Sequence, residues 1–309
     1  MKNRLEMKTI LLTGATGFLG SYLLKKLANY DYKILVLKRS FSDTTRINDV
    51  IYNYNIETYD CDKINIEKVF EQHKIDAIIH CATEYGRENS SEEKIKETNI
   101  NFPSKLLNLA TKYNTELFIN TDSYFTKSNT SYLEKYTQSK KDFYKILEKS
   151  SKNIKIINMR LEHVFGYYDN NNKFVKSIFN KIVVEKANSI DLTFGEQKRD
   201  FIYIDDVVNS YLKAIEYGFL NNFEIKDFEI GTGKSISIKQ FVEYINKKNK
   251  SEKYCSLNFG KIPYRENEIM ESKADIENHK ILGFNPKYSY QKGIDLMFEE
   301  YKKELSKCL

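Results

Sequence analysis

The sequence predicts an α/β fold, a doubly wound parallel sheet with a smaller C-terminal lobe. Two observations carry this reading. Short apolar runs alternate with amphipathic helical stretches through the first half of the chain, and a glycine-rich turn joins the first run to the first helix. The runs are Ile10–Leu12, Ile34–Leu37, Ala77–His80, Leu117–Asn120 and Ile154–Met159. Between them lie helical patterns at Ser21–Leu27, Ile66–Gln72, Ser91–Tyr113 and Lys135–Lys149. A parallel pair needs such a crossover, and helices then cover both faces of the sheet. The rhythm breaks after Gly166 at the polar turn Tyr168–Asn172. Beyond it, Phe174–Val184, Asp205–Tyr217, Ile238–Lys247 and Gln291–Leu305 read as helices, with a strand at Phe228–Ile230 and a looser stretch punctuated by Pro263 and Pro286. The expected division is 1–165 for the sheet domain and 166–309 for the smaller lobe, with 200–232 returning to the sheet.

The chain has 309 residues and a formal charge of +6. That length can bury a sizeable core. No apolar run approaches the roughly 20 residues of a membrane span. The start, Met1–Lys8, lacks the apolar segment of a secretory signal, and Met7 offers a second start behind a six-residue extension. Cys61, Cys81, Cys255 and Cys308 show no paired spacing, so neither a metal site nor a disulfide framework is expected. The charge is spread along the chain, with no basic block interleaved with aromatics, which argues against nucleic acid. A cytoplasmic protein is expected.

Thr13–Gly20 gives the first functional clue. Gly14 permits a sharp turn, Gly17 lets backbone approach a ligand, and Gly20 lets the helix pack on the strand. With Thr16, Phe18 and Leu19 these residues open a helix whose unpaired amides suit a pyrophosphate. The second strand then ends in Lys38-Arg39-Ser40, where an NAD site usually carries an acid on the ribose. An acid would repel a 2′-phosphate, whereas Arg39 can grip one, so NADP (as NADPH) is expected over NAD. The alternative is a solvated basic loop.

Tyr136-Thr-Gln-Ser-Lys140 sets a phenol and an ammonium on one helix face. The spacing recurs elsewhere in this Tyr- and Lys-rich chain, and context selects this copy. It opens the helix after the strand ending Asn120-Thr-Asp-Ser123, and ligands of parallel sheets sit beyond strand carboxyl ends. Lys140 would draw the phenol below its usual value near ~10, letting Tyr136 exchange a proton with a ketone or alcohol. Thr121 would hydrogen-bond the same oxygen.

Taken together, the glycine turn, His80-Cys-Ala-Thr83, Asn99, Thr121, Tyr136/Lys140, Arg160 with Gly166, Gly195–Asp206, Ile230–Gly233 and Leu282–Pro286 resemble the extended short-chain dehydrogenases/reductases. This is the nucleotide-sugar epimerase, dehydratase and reductase family, and the match covers nearly the whole chain. It implies a Rossmann-type cofactor domain, a C-terminal substrate-binding lobe and a homodimer built on the helices around Ser91–Tyr113 and Lys135–Lys149. It also implies residue roles. Asp60, Cys61, Ala82 and Thr83 would border the cofactor, and Asn99 would stand beside the catalytic helix and cofactor. Glu84, Tyr85, Asp122, Ser123 and Lys173 would face the sugar, and Arg199 and Arg265 the diphosphate. His163 replaces an Asn that commonly contacts substrate, near the cofactor. Arg160 is expected to be an internal partner.

Local departures narrow the reaction. Ser123 stands where 4,6-dehydratases carry a Glu, and serine cannot replace that acid in the elimination of water. Asp122 and Asn172-Lys173 occupy positions where double epimerases carry Cys and His. What remains is NADPH-dependent reduction of a nucleotide-linked 4-keto-deoxy or dideoxy sugar, for O-antigen or capsule. The phrases Ala82–Gly86, Asn120–Ser123, Asn158–Gly166, Gly195–Leu212 and Arg265–Met270 resemble members acting on a CDP-linked 3,6-dideoxy-4-hexulose. CDP is the first choice of carrier, with GDP and dTDP open. Two readings stay alongside: an epimerase holding NAD(P) tightly, and a non-catalytic NADP-binding sensor.

Overall fold

Strands and helices alternate through most of the first half of the chain in the computed structural model, which describes residues 7–52, 55–87, 90–127, 132–249 and 254–307. The six-residue extension and Cys308 lie outside the described residues. In chain order the elements are β1 (Lys8–Thr13), α1 (Phe18–Leu27), β2 (Tyr32–Lys38), β3 (Ile56–Asp60), α2 (Glu67–Gln72), β4 (Ala77–His80), α3 (Glu92–Lys96) and α4 (Phe102–Lys112). There follow β5 (Leu117–Ser123), α5 (Glu134–Ser150), β6 (Lys155–Leu161), β7 (His163–Phe165), α6 (Phe174–Phe179), β8 (Ser189–Leu192), β9 (Lys198–Arg199), β10 (Phe201–Tyr203) and α7 (Ile204–Leu220). The chain closes with β11 (Ile225–Ile230), β12 (Ile236–Ser237), α8 (Ile238–Lys248), β13 (Ser256–Phe259), β14 (Glu271–Ser272), α9 (His279–Leu282) and α10 (Tyr290–Lys307).

Seven strands form one sheet in the order β11-β6-β5-β4-β1-β2-β3. β1 pairs parallel with β2 and β4, β2 with β3, and β4 with β5. Strand order reverses at β1, so β1 and β4 flank the switch point where α/β sheets open a ligand crevice. Register aligns Thr13, His80 and Asn120 at the carboxyl ends of the three central strands. Ile10, Leu11, Leu12, Ile78 and Ile79 are fully buried, as strands covered on both faces require.

By packing the chain divides into two units. The first holds the chain up to Thr126, Leu133–Arg160 and Val208–Phe228; the second holds Lys127–Tyr132, Leu161–Val207 and the chain from Glu229 onward. In the first, Leu106, Leu107, Ala110, Phe143 and Leu147 pack with Phe118, Ile78 and Ile156. In the second, buried Asp206 accepts from the backbone amides of Lys287 and Tyr288 at 2.9 Å, and buried Asp200 accepts from Thr232 and Gly233. These carboxylates tie distant loops of that unit together. Among the described residues no helix is long and apolar enough to cross a membrane.

Two of the departures from the sequence expectation bear on the site. β3 is a strand that the hydrophobic pattern does not announce, because only Ile56 of its five residues is buried. The helix expected over Ser91–Tyr113 is interrupted by a π-turn at Glu97–Asn101. Pro103 explains the interruption: it lacks an N–H and its ring presses on the preceding turn, which the wider turn accommodates.

Candidate active site

The turn after β1 forms a cradle that only glycine can line. Gly14 has φ +70°, and a Cβ there would lie 2.6 Å from the Ala82 backbone nitrogen. A Cβ at Gly20 would lie 2.0 Å from the Gly14 carbonyl oxygen, so α1 seats directly on the turn. α1 starts at Gly17 with no side-chain cap and no acid in its first turn, leaving its first amides for an anion. Phe18 and Leu19 open the helix, and the Thr16 carbonyl accepts from Arg46 at 3.4 Å. This donor-lined, acid-free cradle fits a dinucleotide pyrophosphate. Ala82 and Thr83 follow β4 beside it.

The second-strand cations have acidic company that the sequence spacing hid. Arg39 Nε pairs with Asp62 at 2.9 Å, and its guanidinium lies over Phe41. The Ser40 hydroxyl donates to Asp60 at 2.7 Å and the Ser40 amide to Asp62 at 2.9 Å. Both acids come from the end of β3, which pairs with β2 so that Lys38 faces Asp60. Cys61 is half-buried, its amide bonded to the Lys38 carbonyl.

Thr121 and Tyr136 occupy the end of β5 and the start of α5, and Lys140 lies one turn further on. Tyr136 and Lys140 are buried. Lys140 Nζ donates to the Thr121 carbonyl at 2.9 Å and lies 6.0 Å from the Tyr136 ring centre. The Tyr85 ring stacks on Tyr136 with centroids 4.9 Å apart, and Phe125 meets it edge-on. Burial pushes the Tyr136 phenol well above its ordinary range, helped by Tyr85 and Asp122 and opposed by a hydrogen bond with Ser123. Burial lowers the Lys140 ammonium, against the pull of Asp122 and Cys81. The expected depression of the phenol by Lys140 is therefore not what the protein alone provides. Desolvation outweighs an ammonium that is turned toward a backbone carbonyl.

A buried polar brace holds the loop after β4. Asn99, in the π-turn, accepts from the Glu84 amide at 2.8 Å and the Thr83 hydroxyl at 3.3 Å. It donates to the Glu84 carbonyl at 2.8 Å and to Ser139 at 2.9 Å, and Ser139 in turn donates to the Tyr136 carbonyl. All four hydrogen-bonding positions of its amide are thus spent on positioning. The Glu84 carboxylate pairs with Lys94. Asp122 is also turned inward. It accepts from Asn158 at 3.1 Å, from Thr126 and from its neighbour's amide, and it pairs with Arg160, which also grips Asp227. Sequence reasoning placed Asp122 against substrate; strand alternation instead sends it to an internal network while Thr121 points the other way.

Four of the residues expected to meet the nucleotide sugar, His163, Lys173, Arg199 and Arg265, lie in the second unit, whereas Glu84, Tyr85, Asp122 and Ser123 lie in the first. Arg199 is buried and pairs with Glu268. Arg265 is exposed and lies 3.9 Å over the Tyr132 ring. Lys173 precedes α6 as its N-cap. His163 stands on β7, 3.6 Å from Glu162, with its ring edge-on to Phe201. Burial holds His163 well below the usual imidazole value, reinforced by Arg199, so the ring is neutral.

Sequence reasoning missed Tyr211. This fully buried residue of α7 brings its hydroxyl 2.7 Å from Thr121 Oγ1, and only the fold joins positions so far apart in the chain. A lone Tyr on an apolar helix face carries no sequence signal among so many tyrosines.

Residues 10–231 match the model of the NAD dependent epimerase/dehydratase family. A CDP-abequose synthase of Salmonella muenchen is 39% identical over 296 residues, covering 94% of this chain and 97% of that protein. The chain belongs to the epimerase/dehydratase family. A second CDP-abequose synthase, of Salmonella typhimurium, is 37% identical over 300 residues. The fold of this chain matches a UDP-glucuronic acid 4-epimerase of Bacillus cereus with TM-score 0.82 at 22% identity, covering 96% and 99% of the two chains. Family membership makes the chain a nicotinamide-dinucleotide-dependent enzyme with a Rossmann-like parallel sheet, as the sequence predicted.

Proposed function

We propose that this enzyme is an NADPH-dependent 4-ketoreductase of a CDP-linked 4-keto-3,6-dideoxy sugar, serving cell-surface polysaccharide synthesis in the cytoplasm. The carrying observation is near-full-length likeness to CDP-abequose synthases, at 39% identity to one of them. The cluster of Thr121, Tyr136 and Lys140 at one strand end supports it. Ser123, in place of a carboxylic acid, disfavours dehydration.

Gly14, Thr16, Gly17, Phe18, Leu19 and Gly20 would hold the cofactor's pyrophosphate, and Lys38, Arg39 and Ser40 its 2′-phosphate. Asp60, Cys61, Ala82 and Thr83 would flank it. The bound reduced nicotinamide supplies the hydride. Tyr136, kept neutral by burial, donates a proton to the sugar O4. Thr121 donates a hydrogen bond to the same oxygen, and Lys140 fixes the strand end carrying Thr121. Stacked Tyr85 excludes water from the phenol. On the nucleotide side, Arg199 and Arg265 would hold the diphosphate, with Arg199 sharing its fork between phosphate and Glu268. Lys173 and neutral His163 would line the sugar side, as would Glu84.

The test incubates the enzyme and NADPH with CDP-, GDP- and dTDP-linked 4-keto sugars. The expected result is loss of the nicotinamide absorbance with the CDP-linked substrate and a product alcohol at C4 by NMR. Turnover without added NADPH, on protein isolated with NAD, would replace reduction with epimerisation. The assembly we propose is a homodimer on α4 and α5.

A further inference from the structure

We propose that Tyr211 is a positioning residue that aims the Thr121 hydroxyl at the sugar carbonyl oxygen. The proposal rests on Thr121 meeting that oxygen. Tyr211 is fully buried, and its hydroxyl lies 2.7 Å from Thr121 Oγ1. Packing alone needs no oxygen there, since a phenylalanine would fill the same volume in the helix. A buried hydroxyl is costly unless partnered, and the partner here is the threonine that faces the reaction.

Thr121 has one proton and two competing neighbours, because it also lies 3.3 Å from Cys81 Sγ. A phenol is a stronger donor than an aliphatic alcohol, so the favoured direction runs from Tyr211 to Thr121. That leaves the threonine proton for another acceptor, and it polarises the O–H that carries it. Burial raises the Tyr211 phenol well above its ordinary range, so it stays a donor throughout the working pH range. No proton leaves Tyr211 in this role.

Tyr211→Phe removes only the oxygen. Its kcat is expected to fall roughly ten-fold, with KM for NADPH and for the nucleotide sugar within about two-fold. In a Thr121→Ala background the same change is expected to cost nothing further, because the hydroxyl it orients is gone. A wild-type kcat in Tyr211→Phe, or an undiminished loss in the Thr121→Ala background, overturns the proposal. A wild-type kcat in Thr121→Ala alone would instead sink the reading of the site itself. If Tyr211→Phe fails to bind NADPH and so is misfolded, Cys81→Ala decides. An unchanged kcat leaves the phenol as the aiming partner, and a ten-fold loss assigns that role to the sulfur.

Discussion

Tyr136 shows how burial acts on the proton donor proposed for this site. The phenol is displaced upward by desolvation, and its stacked neighbour Tyr85 adds to the effect. A proton donor must be protonated, so an upward shift lengthens the pH range in which reduction runs. The kcat of reduction is expected to stay flat across neutral pH and to fall only on the alkaline side, as Lys140, lowered by burial, or the phenol, raised by it, deprotonates. Tyr136→Phe should lower kcat by about 10²- to 10⁴-fold with cofactor affinity retained. Retained turnover would remove the phenol from the chemistry. Glu162 illustrates the same physics in stability. Buried beside Ser272, it is raised from 4.5 to about 7 by desolvation. A carboxyl raised in the folded state contributes fully below its unfolded value, and the contribution is lost as pH rises through the folded one. Between pH ~5 and ~8 the wild type should lose up to about 3 kcal/mol relative to Glu162→Gln. Denaturant melts at the two pH values check this, and parallel curves would show that Glu162 stays charged without penalty.

At the scale of elements, legibility followed the hydrophobic signal. The central strands were readable because both faces are buried and their residues are aliphatic throughout, as in Ile34–Leu37. β3 was not, since its outer face is polar and it lies at the sheet edge. That omission mattered for the site, because β3 brings Asp60 and Asp62 to the cations that end β2. Counting along one strand saw two cations and a hydroxyl, whereas pairing two strands shows Arg39 already neutralised. Removing its partner should release it. Asp62→Ala is expected to raise the ratio of kcat/KM for NADPH over NADH several-fold, through the affinity for the 2′-phosphate. An unchanged ratio would place that phosphate away from Arg39. The π-turn was equally hidden in sequence, and it puts Asn99 where one amide can bind a loop and the helix that carries Tyr136.

For the whole molecule, the sequence expectation was a boundary after residue 165 with one return over 200–232, whereas by packing the chain crosses between the two units repeatedly and Leu133–Arg160 and Val208–Phe228 both belong to the first. Assembly raises a similar problem. The periodic apolar residues of α4 and α5 suggested a dimer face, but Leu106, Leu107, Leu109, Phe143 and Leu147 are spent on the unit's own core. What these helices leave exposed is polar: Lys105, Asn108 and Lys112 on α4, and Glu134, Lys135, Gln138, Lys145, Glu148 and Lys149 on α5. Only Phe102, Tyr144 and Ile146 keep part of their apolar surface uncovered, so a dimer on this face should rest mainly on charge pairs, which salt screens. Sedimentation velocity should then show a dimer at ~0.05 M NaCl that dissociates toward monomer at ~0.5 M. Persistence of the dimer at high salt would place an apolar interface on another face. A monomer at both concentrations would remove the homodimer altogether and leave each chain to carry its own complete site.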